Sequence, residues 1–177
     1  MARYARLIAR AAGEACSLMA RAPRAGLRVL MYHAVGGSAA GDALGIYSIA
    51  PARFRAHMAA LAETGVAVLA LDAARAAFAP LTVALTFDDG YRDNLLEAAP
   101  VLAAAAMPFT VFVCTAFMYD RSGNFLSPAD VRTLAALPGA RIGSHGATHT
   151  PLTTLDDVSL HDEVSRSKRS EEHTSEL

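Results

Sequence analysis

An alternation of two kinds of segment constrains this chain more than any other feature. Short apolar, β-branched runs recur along it: LRVLMYH (27–33), AVLAL (67–71), LTVALTF (81–87), FTVFVC (109–114) and ARIGSH (140–145). Between them lie PARFRAHMAALAET (51–64), YRDNLLEAAPVLAAAA (91–106) and SPADVRTLAAL (127–137), whose apolar residues recur at helical spacing. Phe54, Met58 and Leu61 fit one helix face, and Leu95, Leu96, Val101 and Leu102 another, with Pro100 set to kink or break the second. Ser48 and Pro51 open the first helix, and Ser127 ahead of Pro128 places a cap before a proline at the first helical position. Strands that are apolar almost throughout must be buried on both faces. Alternating with helices, they predict an α/β fold with a parallel sheet covered by helices and right-handed connections. In such folds the chemistry gathers at the carboxyl ends of the strands.

At 177 residues one domain is the default, with enough chain to bury a sizeable core. A net charge of -1 without a basic block speaks against a nucleic-acid partner, and there is no acidic block to make a disordered tail. Cys16 and Cys114 are too few and too far apart for a disulfide framework or a metal pair. Cys114, inside FTVFVC, reads as a small core residue. Near the N-terminus, Arg3, Arg6, Arg10, Arg21, Arg24 and Arg28 interrupt the alanine-rich stretch too often for a signal peptide or a transmembrane span. A helical extension over 1–27, packed on the domain or resting its basic face on a membrane or partner, is the expectation, and a cytoplasmic location follows from it.

Asp88 and Asp89 stand side by side in LTFDDGYRDN, where the buried strand ends. Adjacent carboxylates repel, and neither belongs in a core unless something pairs with it or coordinates it. Asp-Gly is also a turn signal, but a turn needs one Asp and not two. The second informative stretch is RIGSHGATHTPLTTL, with His145 and His149 four residues apart. Gly143 and Gly146 argue against a regular helix there, which leaves a strand end running into a loop. A lone histidine would be a hydrogen-bonded structural residue. Two histidines and a carboxylate make a first-row metal site that keeps positions open for water.

Together, TFDDGY and GSHGATH resemble the NodB-like polysaccharide deacetylases, metal-dependent carbohydrate esterases. LMYHAV (30–35) and YSIAPARFRAHMAALAETGVAVLAL resemble the strand and helix that many bacterial members place ahead of the Asp-Asp motif. The resemblance runs over residues 28–168. It implies a (β/α) barrel and a divalent ion, often zinc. It also implies hydrolysis of N-acetyl groups on an amino-sugar polymer or oligosaccharide bound at the strand ends. Carried over by motif, Asp88 is the catalytic base, and Asp89, His145 and His149 ligate the metal. Tyr91 is given a substrate contact, with core or rim packing as an equal alternative. Thr148 is expected to steady the histidine loop through its hydroxyl, and His33 to support the site from the rim.

The family's later motifs do not occur. There is no arginine-proline-aromatic segment, no Asp-Trp pair (the sequence has no Trp), and no Leu-x-His to supply the catalytic acid; LHDEV (160–164) does not match it. The expectation is therefore an incomplete barrel of about five strands, missing its C-terminal part and inactive as written. The last nine residues, RSEEHTSEL (169–177), match the in-frame translation of a sequencing-library adapter and are set aside from fold reasoning. Two further readings stay open: a non-catalytic metal- or glycan-binding remnant, and an amidohydrolase acting on a small amide. A phosphatase with paired aspartates fits less well, because it would leave the histidines unexplained.

Overall fold

The computed structural model describes residues 25–37, 39, 42–74 and 81–175. The N-terminal helix expected over 1–27 falls mostly on residues 1–24, outside the described residues. In chain order the elements are β1 (Leu27–Tyr32), β2 (Ala34–Val35), β3 (Ser48–Ile49), α1 (Pro51–Thr64), β4 (Ala67–Val68) and α2 (Leu71–Ala74). There follow β5 (Thr82–Phe87), a π-helical segment (Asn94–Ala98), α3 (Ala99–Ala104), β6 (Phe109–Val113), α4 (Pro128–Ala135), β7 (Ala140–Ser144) and α5 (Asp157–Ser175), with short 3-10 turns at Phe117–Tyr119 and Leu152–Thr154.

Each forecast apolar run contains a strand, and the reason shows in β5, where all six residues are buried. A strand with no solvent face must be covered on both faces, and as a central strand it is also paired on both edges. β1 pairs along one of them from Leu27↔Thr82 to Tyr32↔Phe87, and β6 joins at Leu85↔Phe109. β7 then extends the sheet from Phe109↔Ala140 to Val113↔Ser144, every pair being parallel. The order is β1-β5-β6-β7, with β4 beside the start of β5, and among the described residues the sheet stays open. Helices pack on it through Phe54 and Met58 of α1, Leu102 of α3, and Val131 and Leu134 of α4. Phe87 sits at the centre, its ring 5.6 Å from Tyr32, 5.9 Å from Phe54 and 6.0 Å from Phe109.

Local chemistry accounts for the helix ends. In α4 the Ser127 side chain accepts from the Asp130 N–H, and the Asp130 carboxylate accepts from the Ser127 N–H, a reciprocal capping box ahead of Pro128. Ser127→Ala is expected to lower stability by about 1 kcal/mol, measurable as a shifted denaturant midpoint with an unchanged slope. Ser48 does not cap α1 as its position suggested. It lies in β3, and its hydroxyl donates to the Gly37 carbonyl, while Ala50 precedes Pro51 without a side-chain cap. The β2–β3 ladder that captures Ser48 carries two residue pairs, too short to stand out in the sequence.

Pro100 leaves its mark one turn upstream. Proline has no N–H to give the carbonyl four residues back, and the chain widens into the π-helical turn Asn94–Ala98 before α3 begins. Helix α5 is unusual in another way. Over residues 157–170 its buried positions are Glu163 and Ser167, while Val158 is 80% exposed. Ser167 hydrogen-bonds Ser144 at the end of β7. The helix runs to Ser175, through most of the segment that resembles an adapter translation. No helix among the described residues is long and apolar enough to cross a membrane.

Candidate metal centre

The site forms where β5 and β7 end. Pairing continues one step past β5, with the Asp88 N–H donating to the Tyr32 carbonyl at 2.9 Å. The chain then reverses through two left-handed residues, Asp89 at φ 70° and Gly90 at φ 75°. Asp is among the few side chains that enter this region readily, and Gly90 suits its left-handed φ while keeping clear of Val113, whose Cγ1 would lie 3.1 Å from an added Cβ. The reversal is latched from outside: Gly90 accepts from the Leu126 N–H at 2.9 Å and Asn124 from the Arg92 N–H at 2.8 Å. Asp89 is thereby turned under the strand ends, 8% exposed.

The histidine loop is built in the same way. The His145 N–H donates to Val113 at 2.9 Å, Thr115 to Gly146 at 3.2 Å and Ala116 to Ala147 at 2.8 Å, so the β6–β7 contact persists beyond both strands. His149 is again left-handed, at φ 64°. The outcome is convergence: His149 Nε2 lies 3.0 Å and His145 Nε2 3.3 Å from Asp89 Oδ1. One ligand atom from each of the three residues falls within 4.8 Å of the others. Although both imidazoles are at ion-pair distance, Oδ1 is buried without an aligned hydrogen bond. An orphaned carboxylate oxygen facing two imidazole nitrogens fits a divalent ion. This donor set, two nitrogens and one carboxylate, suits zinc or another first-row ion with open positions.

Charge follows this geometry. Burial pushes Asp89 up, but the His145 contact and the charges of His149 and His33 outweigh it and leave the carboxyl below its ordinary value. His145 is raised, chiefly by Asp89. Asp88 goes the other way: burial lifts it above the ordinary carboxylate value although His145 and His33 oppose the shift. The two adjacent acids therefore have separate characters.

Other residues singled out by sequence fall around this centre. His33 packs its ring 4.8 Å from Tyr47, and its charge is felt by both Asp88 and Asp89. Tyr91 is 3% exposed and packs 4.8 Å from Phe125, in a cluster with Ala34 and Ala39. Of its two readings, this burial supports packing. The Thr148 hydroxyl meets Thr150 at 2.7 Å and donates to Glu163 at 3.0 Å. Cys114 is fully buried, donates weakly to Ala147 at 3.6 Å, and is held protonated by burial.

Three residues of the surrounding shell escaped sequence reasoning. Asn94, fully buried, donates to the His33 carbonyl at 2.7 Å. Asp93 accepts from the Gly37 N–H at 2.9 Å, so this pair ties the loop after β1 to the aspartate turn. Glu163 accepts from the Thr148 N–H at 2.7 Å. A usable signal for the first two was their position directly behind the Asp-Asp turn, in YRDN.

Comparison with known proteins agrees with this geometry. Residues 76–175 match the polysaccharide deacetylase family model. YxkH of Bacillus subtilis, named as a polysaccharide deacetylase, is 29% identical over 149 residues, covering 81% of this chain. The chain spans 50% of that relative's length. Among solved structures, the Streptococcus pyogenes deacetylase PplD in complex with acetate has a TM-score of 0.73 at 20% identity, over 88% of this chain and 71% of its own. A polysaccharide deacetylase from Bacillus cereus has a TM-score of 0.70 at 24% identity, over 85% of this chain and 48% of its own. At those identities the two structures speak for the fold. With more than half of its residues matched by the family model, the chain belongs to the polysaccharide deacetylase family.

Proposed function

We propose that this site hydrolyses N-acetyl groups on an amino-sugar polymer or oligosaccharide, with a divalent ion, zinc by preference, held by Asp89, His145 and His149. The observation that carries the reading is the convergence of those three ligand atoms within 4.8 Å. Bound there, such an ion supplies a polarised acetyl carbonyl and an acidified water. Asp88 is the general base. Its raised carboxyl is better matched to taking a proton from water near neutral pH than an ordinary aspartate would be. The charge of His33, whose ring is seated against Tyr47, acts on both acids and favours their ionised forms.

As the water oxygen bonds to the carbonyl carbon, its proton passes to Asp88. The carbon–nitrogen bond then breaks once the nitrogen receives a proton, giving acetate and a free amine. The family motif for that proton donor does not occur in these 177 residues. General acid help is worth about 10²–10⁴ in rate, so we expect only trace turnover from this chain alone. The test is acetate release from an N-acetylglucosamine oligomer, with and without chelation and zinc restoration. Release that chelator does not touch would refute metal dependence. Zinc binding without any release, even when the missing motifs are supplied on a longer chain, would favour the non-catalytic remnant.

A further inference from the structure

Glu163 is 6% exposed on helix α5, which packs beside the histidine loop. A carboxylate taken out of water is costly unless its oxygens are satisfied. Both are, by one residue: Oε1 accepts the Thr148 N–H at 2.7 Å, and Oε2 accepts the Thr148 hydroxyl at 3.0 Å. Thr148 immediately precedes His149, whose backbone is held left-handed at φ 64°. The same carboxylate also presses on the start of the loop. A Cβ on Gly146 would lie 2.9 Å from Glu163 Oε1, and Gly146 is itself left-handed at φ 85°. One buried side chain thus touches the loop between its two histidines and just ahead of the second.

We infer that Glu163 is a positioning residue that holds the 146–149 loop in the conformation where His145 and His149 face Asp89. This rests on the metal reading given above. An αL histidine carries a backbone cost that its surroundings must offset. The two-point grip on Thr148 does so by fixing the peptide that leads into His149. Without it the backbone can relax, His149 Nε2 moves off the shared point, and affinity for the ion falls. Outer-shell partners of metal ligands are worth about 10–100-fold in affinity, and Glu163 acts one residue further out by way of the backbone.

The experiment is a cobalt(II) titration of the purified chain, read by visible absorption, beside amide exchange at Thr148 in the metal-free protein. Glu163→Ala should weaken cobalt(II) binding by about 10-fold or more, alter the ligand-field band and speed exchange at Thr148. Glu163→Gln should retain most of the affinity, because its amide oxygen can accept the N–H while its amino group donates to the hydroxyl. Met58→Ala, a core change in α1, should lower the melting temperature without moving the affinity of the folded protein. If Glu163→Ala fails to fold, Thr148→Val, which removes the hydroxyl contact alone, should still weaken binding measurably. Wild-type binding with unchanged affinity in the variants would overturn the positioning role. A wild-type chain that takes up no cobalt(II) would overturn the metal reading, and this one with it.

Discussion

Asp89→Ala should leave a folded protein that no longer holds an ion, whereas Asp88→Asn should hold one ion like the wild type. The difference follows from where the two carboxylates point. Asp89 Oδ1 faces both histidine nitrogens, at 3.0 and 3.3 Å, and is buried with nothing else to satisfy it. Removing it takes away the one anionic ligand and should cost more than the roughly 10–100-fold that a lost outer-shell contact costs. Alanine at φ 70° adds strain of about 1–2 kcal/mol, small enough to leave the fold standing. Asp88 feels the same charges without belonging to the converging set, and asparagine keeps its shape while removing its basicity. Elemental analysis of the two dialysed variants checks the first half. Acetate release checks the second, where Asp88→Asn should lose about 10²–10⁴ of whatever the wild type shows. Equal metal loss in both variants would dissolve the division of labour.

Phe87→Ala is expected to be the most damaging single change in the core, costing about 3–5 kcal/mol. Its ring is fully buried and meets Tyr32, Phe54 and Phe109 at 5.6–6.0 Å, so β1, α1 and β6 would all face the cavity. The loss is a large share of the roughly 5–15 kcal/mol that a domain has. It also lies one residue before Asp88, and the aspartate turn depends on the end of β5 being fixed. Chemical denaturation should show the drop in stability. Cobalt(II) affinity measured below the transition should fall as well, unlike that of Met58→Ala. A Phe87→Ala protein within 1 kcal/mol of wild type would mean that the site's floor is built elsewhere (the smallest core loss of this kind is about 3 kcal/mol).

The sheet and the convergence of Asp89, His145 and His149 were legible because both are written in local chemistry. A run such as LTVALTF admits few environments, and two acids at its end demand a partner. What stayed hidden depends on contacts between distant segments. Helix α5 buries Glu163 and Ser167 and exposes Val158, the reverse of an amphipathic pattern, so hydrophobic periodicity could not find its inner face. Glu163 belongs to LHDEV, which reads in sequence only as a failed match to Leu-x-His. Asn94 is hidden for a related reason: its partner, the His33 carbonyl, lies 61 residues away and carries no side-chain signature. Ser48 misled because a serine ahead of a proline-led helix resembles a cap, while a two-residue ladder claimed it instead. AVLAL kept only Ala67–Val68 as strand before α2 took over.

Two of the three converging residues, Asp89 and His149, have backbone conformations that few side chains enter cheaply. That sets how this chain could drift under mutation. Asparagine or glycine at either position would erase the ligand at little cost to folding, since both accept a left-handed backbone. Valine or isoleucine would remove ligand and turn together. Descendants that have lost the chemistry but kept the scaffold are therefore expected to carry asparagine or glycine at these two sites. At His145, whose backbone is not left-handed, replacements should scatter across residue types.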